Sequence, residues 1–130
     1  MSRPVKIALI DDDKDLVDSL KHFLERRSYA VSAAFGGRQG LEVIKSQVPD
    51  VIILDMMMPD LDGIGVLTEV KKDESTRDIP VIMLTAKDTQ TDRLSALELG
   101  AYEYVAKPLD THMLVRQIEN VLRKKKEGTI

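Results

Sequence analysis

The chain of 130 residues has no cysteine, which excludes disulfides and thiolate metal sites and suits a cytoplasmic protein. No apolar run approaches the roughly 18 residues that a membrane span needs. The opening MSRPVK is too short for a signal peptide, and no long apolar segment follows it. Excess positive charge is also missing: the net charge is -3, so direct nucleic-acid binding and membrane attachment are not expected of this domain. There are no internal repeats and no low-complexity segments. What is present is globular in character. Hydrophobic residues make up 43% and charged residues 32% of the chain, enough for one domain with a real core. A single basic run, Arg123 to Lys126, stands near the C-terminus, where cations favour the end of a helix.

Five short β-type runs alternate with five helical patterns. The runs cover residues 5–10, 29–33 (YAVSA), 51–54 (VIIL), 81–84 (VIML) and 102–106 (YEYVA). Helices are expected over about 14–27, 37–46, 63–72, 90–99 and 109–126. In the first, Leu16, Leu20, Phe23 and Leu24 recur at helical spacing, and Asp13 stands where an N-cap belongs. Strict alternation implies a parallel sheet with helices on both faces and right-handed crossovers. The first, third and fourth runs are almost wholly apolar, as strands buried on both faces are. Ser32 and Glu103 mark the second and fifth as edges. An α/β doubly wound sheet of five parallel strands in the order 2-1-3-4-5, flavodoxin-like, meets both conditions. In such a sheet the ligand site lies beyond the carboxyl ends of the strands, between strands 1 and 3.

The chemistry-bearing residues collect at those carboxyl ends. IALIDDDKD closes the first strand with Asp11, Asp12 and Asp13. The third strand leads to Asp55 in LDMMMPDLDG, the fourth to Thr85 in IMLTAK, and the fifth to Lys107 in YVAKP. Like charges about 4 Å apart repel by roughly 4 kcal/mol at an effective dielectric near 20, so clustered carboxylates call for a cation. Hard oxygen ligands suit Mg2+, which keeps several waters and leaves positions for a phosphoryl oxygen. A carboxylate beside such an ion can attack phosphorus and form an acyl phosphate. An ammonium and a hydroxyl can then meet the equatorial oxygens. Taken singly, each residue has an ordinary structural explanation. Their convergence on one edge is what points to a site.

With these residues identified, the chain resembles the receiver domain of bacterial two-component response regulators. The resemblance covers about residues 5–123, with 124–130 as a basic C-terminal tail or the start of a linker. Asp11 and Asp12 precede Asp55 by 44 and 43 residues, Thr85 follows it by 30 and Lys107 by 52. DMMMPDLDG is similar to the family's D-x-x-M-P-x-x-D-G, and GAYEYVAKP to its G-A-x-x-Y-x-x-K-P. The 2-1-3-4-5 order is itself a trait of this family, so the resemblance implies it as well.

The resemblance implies that Asp55 is the phosphoacceptor. It implies Mg2+ held by Asp12, Asp55 and the Met57 backbone carbonyl, with Asp11 holding a bound water. Lys107 is implied to pair with Asp55 before phosphorylation and with the phosphoryl group afterwards. Thr85 and Ala86 are implied to contact that group, and Tyr104 to be the switch aromatic that turns inward. Pro108 is implied to follow a cis bond, Pro59 to complete the M-P pair, and Gly63 to open the third helix. The resemblance also implies that Met57 and Lys87, two residues beyond the phosphoacceptor and the threonine, occupy positions that tune phosphoryl lifetime. An apolar Met57 cannot orient an attacking water by itself, so moderately slow self-dephosphorylation is expected.

The function so implied is a phosphorylation-dependent switch rather than an enzyme. A sensor histidine kinase or phosphotransfer protein supplies the phosphoryl group. The face of helix 4, strand 5 and helix 5 then meets a partner or a second copy. Two other readings stand beside it. A Mg2+-dependent phosphatase of the haloacid-dehalogenase type carries its nucleophile after strand 1 in D-x-D, which Asp11 and Asp13 superficially provide. That reading leaves Asp55 unexplained and finds no cap insertion. A binding module that is never phosphorylated is the other. Among the remaining features, Met58 is expected in the core and His22 off the apolar stripe of its helix. KKDESTRD (71–78) is expected to be a solvated loop.

Overall fold

The computed structural model describes residues 3–86 and 90–128; Lys87 lies outside the described residues. Among these, strands and helices alternate strictly: β1 (Lys6–Ile10), α1 (Lys14–Glu25), β2 (Ala30–Ala34), α2 (Gly37–Gln47), β3 (Val51–Asp55), α3 (Gly63–Lys72), β4 (Val81–Thr85), α4 (Gln90–Glu98), β5 (Glu103–Ala106) and α5 (Thr111–Glu127). The strands pair in parallel in the order β2-β1-β3-β4-β5. This is the order expected from strand composition. β3 and β4 are buried along their whole length, whereas β2 and β5 keep partly exposed residues at the edges.

Two cores follow from the alternation of side chains along each strand. Ala8, Ile10, Ile52, Leu54, Val81, Met83 and Tyr104 face one side, where Ile44, Val66, Leu67, Val70 and Ala96 from α2, α3 and α4 cover them. Ile7, Leu9, Val51, Ile53, Ile82, Leu84 and Val105 face the other, under Val17, Leu20 and Leu24 of α1 and Leu114, Val115, Ile118 and Val121 of α5. Each fully buried aliphatic side chain contributes about 1.5–3 kcal/mol, so both helical layers are held firmly.

Three of the helices, α1, α3 and α5, start on an aspartate cap. Asp13 accepts from the Leu16 N–H, Asp62 from Gly65, and Asp110 from His112 and Met113. Several boundaries differ from expectation. α1 stops at Glu25 because the chain reverses at Ser28, whose φ is 71°. α5 starts at Thr111, after the cis Lys107–Pro108 bond and the Asp110 cap. It continues to Glu127, one residue past the expected 126, and closes on Gly128 at φ 75°. Lys124, Lys125 and Lys126 fall in its last turn, where the helix dipole favours them.

The KKDESTRD segment is not simply a solvated loop. Its first two residues end α3. Thr76 is buried, its hydroxyl donating to the Val70 carbonyl at 2.8 Å, and Lys71 Nζ donates to the Arg77 carbonyl at 2.9 Å. The Thr76 contact satisfies a carbonyl that α3 leaves open at its end, and the Lys71 contact ties the following loop back to that helix.

Candidate functional site

All strands of a parallel sheet end on the same edge, so four short loops bring their first residues together. β1 delivers Asp11, whose N–H is fixed by the Ala34 carbonyl at 3.1 Å. β3 ends in Asp55 and β4 in Thr85, which pairs in register with Ala106. The Lys107 N–H donates to the Thr85 carbonyl at 2.6 Å and so starts the last loop at the same level. Asp11, Asp55 and Thr85 are buried, with Asp11 at 0% exposure. Asp12 is exposed beside them.

Asp11, Asp12 and Asp55 each offer one carboxylate oxygen within 4.8 Å of the others. Lys107 Nζ lies 2.7 Å from Asp11 Oδ2 and 3.4 Å from Asp55 Oδ1. The expected Lys107–Asp55 pair is therefore present, but the shorter contact is to Asp11. Asp11 Oδ1 accepts from the Asp13 N–H at 2.9 Å. The buried Oδ2 meets the ammonium without a well-directed hydrogen bond among the described residues. Among the described residues, three acids and one lysine leave the cluster short of two positive charges. A divalent, oxygen-preferring cation fits that deficit and that donor set.

The electrostatics reflect this crowding. Burial, followed by the charge of Asp11, pushes the Asp55 carboxyl up to about 6, although Lys107 and the Met57 N–H pull the other way. Burial works against the Lys107 ammonium, but its contacts with Asp11 and Asp55 outweigh it and raise its pKa above the usual lysine value. A carboxylate poised near neutrality and held against an ammonium can serve as a nucleophile toward an electrophilic phosphorus.

The other residues singled out from the sequence surround this cluster. Met57 is 67% exposed, while Met56 and Met58 are in the core. An open cleft of about 280 Å³ is lined by Asp12, Met57, Met58 and Pro59. A larger groove along α5, from Met113 to Arg123, is lined by none of the three clustered aspartates. Ala86 is exposed directly after Thr85, and Pro108 follows Lys107 through the cis bond. Tyr104 is buried at 4% exposure and packs in the core with Met83, Ala96 and Ala101. Gly63 opens α3, and a Cβ there would fall 2.4 Å from the Asp55 carbonyl oxygen. Only glycine lets α3 begin so close to the Asp55 backbone. Asp13 caps α1 and is not part of the acidic cluster. The D-x-D pattern of Asp11 and Asp13 therefore does not present two acids to one site.

One contributor was not read from the sequence. Asp60 accepts from the Gly37 N–H at 3.0 Å and from the Arg38 N–H at 3.1 Å, joining the loop after Asp55 to the start of α2. The N–H groups of Arg38 and Gly37 hold its carboxyl below the usual carboxylate range. Its available signal was indirect: α2 begins at Gly36-Gly37, with no Ser, Thr, Asp or Asn to cap it.

Comparison with known proteins agrees with this geometry. The family model described as response regulator receiver domain matches residues 7–119. The receiver domain of the Francisella response regulator 1452 is similar, with 33% identity and a TM-score of 0.85, covering 94% of this chain and 98% of that one. A response regulator receiver domain protein from Clostridium thermocellum shares 34% identity at a TM-score of 0.87, covering 94% and 97%. A CheY-like receiver domain protein from Methanospirillum hungatei JF-1 shares 26% at a TM-score of 0.90, covering 96% and 98%.

Proposed function

Since the chain belongs to the response regulator receiver domain family, we propose that it is a phosphorylation-controlled signalling switch with Asp55 as phosphoacceptor. The observation that carries this reading is the placement of the Asp55 carboxylate between Asp11, Asp12 and the Lys107 ammonium at the carboxyl edge of the sheet. In the transfer step an Asp55 oxygen attacks the phosphorus of a phosphohistidine on a sensor kinase or phosphotransfer protein. An O–P bond forms as the N–P bond breaks. The electron pair stays on the imidazole nitrogen, which takes a proton from solvent.

Asp11, Asp12, Asp55 and the Met57 carbonyl are the groups that would hold Mg2+, which supplies positive charge to the carboxylates and the transferring oxygens. Lys107, already bridging Asp11 and Asp55, follows the new negative charge onto the phosphoryl group. In this reading the Thr85 hydroxyl and the Ala86 N–H donate to its oxygens. The protein accepts the group and assists its loss, without turning over a separate substrate.

The output surface in this reading is the face of α4, β5 and α5. There Arg93 pairs with Glu103 at 3.4 Å, and Leu94, Leu97 and Met113 are exposed. Phosphorylation acts by favouring one of two pre-existing arrangements of that face. In this reading Tyr104 is the link to the site; its buried ring stands on β5, three residues before Lys107. A second copy or a downstream protein is the reader. The same reading places the protein in the cytoplasm with its kinase.

Incubation with Mg2+ and acetyl phosphate, followed by intact mass, tests the chemistry. Wild type should gain one phosphoryl group, and Asp55→Asn should gain none. No adduct on wild type, or an undiminished adduct on the variant, rejects the assignment.

A further inference from the structure

We propose that Asp60 is a positioning residue for phosphorylation: by capping α2 from outside that helix, it fixes the loop that offers Met57 to Mg2+ beside Asp55. This rests on the Asp55 and Mg2+ reading above.

α1, α3 and α5 each begin on an aspartate of their own. α2 instead begins on Gly36, which has no side chain to satisfy the first N–H groups. Asp60, more than 20 residues away in the chain, supplies both acceptors with one carboxylate. It occupies the space that a local cap would fill, since a Cβ on Gly36 would sit 3.1 Å from Asp60 Oδ1. The neighbouring loop residue is held as closely: a Cβ on Gly37 would fall 2.1 Å from the Leu61 carbonyl oxygen. These contacts make the start of α2 and the loop after Asp55 one packed unit.

The rest of the loop is tied to α3. The Gly63 N–H donates to the Met56 carbonyl at 2.8 Å, and Asp62 accepts from the Gly65 N–H at 2.8 Å. Met57 lies between Asp55 and these anchors, largely exposed. The tether at Asp60 holds the outer side of the same loop. Removing it frees the segment that must present a main-chain oxygen to the metal, and supporting groups of this kind set metal affinity.

The test separates helix capping from loop positioning. Mg2+ binding by the whole chain is measured by isothermal titration calorimetry, and melting is followed in EDTA. Asp60→Ala should melt lower and bind Mg2+ on the order of 10-fold more weakly. In Gly36→Ser/Asp60→Ala the serine can cap α2 locally, because Gly36 is extended (φ −165°) and the carboxylate that crowded it is gone. The melting temperature should return toward wild type while Mg2+ affinity stays low. Asp60→Asn keeps one acceptor, should fall between, and takes the place of Asp60→Ala if that variant does not fold. Unchanged Mg2+ affinity in the Asp60 variants overturns the proposal. Recovery of affinity together with melting temperature in the double variant does so too. Wild type that binds no Mg2+ overturns the proposed function along with it, whereas wild-type binding with unmoved variants overturns this inference alone.

Discussion

Replacing Asp55 by asparagine should stabilise the metal-free protein, by an amount that depends on pH in one direction only. Burial and the charge of Asp11 raise the Asp55 carboxyl from 3.8 to about 6. The folded protein therefore binds that proton more tightly than the unfolded chain does. The resulting stabilisation is fully present below 3.8 and is lost as pH rises through about 6. Above that range wild type carries an ionised Asp55 at full cost, which at face value is about 3 kcal/mol. Lys107 and the exposed Asp12 edge soften the field, and solvent screening reduces the figure to about 1–2 kcal/mol. Asparagine removes the charge and keeps an oxygen for the Met57 N–H.

In EDTA at about pH 7.5 the variant should melt roughly 3–8 °C above wild type, with the gap closing toward about pH 4.5. Mg2+ should shrink or reverse the gap, because wild type alone retains the third carboxylate. Thermal unfolding followed by circular dichroism reads all of these. A variant that melts at or below wild type in EDTA near neutrality, or a gap that widens as pH falls, refutes the electrostatic account.

Lys107→Ala should cost about 2–4 kcal/mol in EDTA, because it leaves the buried Asp11 carboxylate without its cation. Mg2+ should restore part of the loss in denaturant titrations, and an unaltered midpoint would contradict the pairing. Met57→Asn should hasten acyl-phosphate decay by placing a polar group over the cleft beside Asp12; equal decay rates would reject that role for position 57. Gly63→Ala should cost about 2–3 kcal/mol in urea unfolding, since its methyl would meet the Asp55 carbonyl at 2.4 Å. Wild-type stability in that variant would mean that α3 can start farther from β3.

The architecture was legible because it rests on local periodicity. Apolar runs of five or so residues, separated by amphipathic helices, allow only a parallel sheet with two helical layers. The polar residues Ser32 and Glu103 were enough to put β2 and β5 at the edges. Boundaries were less legible. The end of α1 depends on a left-handed turn at Ser28, and the start of α5 on where Asp110 can cap. Thr76 was misread for a related reason. A threonine in a charged stretch looks solvated until the end of α3 offers it the Val70 carbonyl.

By itself the sequence determined which residues share the functional edge. Asp11, Asp55, Thr85 and Lys107 follow strands that must all end on one side of a parallel sheet, so their convergence is a matter of topology. Only the tertiary structure decided how they are paired there. Lys107 sits closer to the buried Asp11 than to Asp55, Tyr104 is buried in the same core cluster as Ala96 and Ala101, and Asp60 leaves its own loop to cap α2. These contacts join residues far apart in the chain. Their geometry is set by how closely the loops pack at the sheet edge, a quantity that no local pattern of residues encodes.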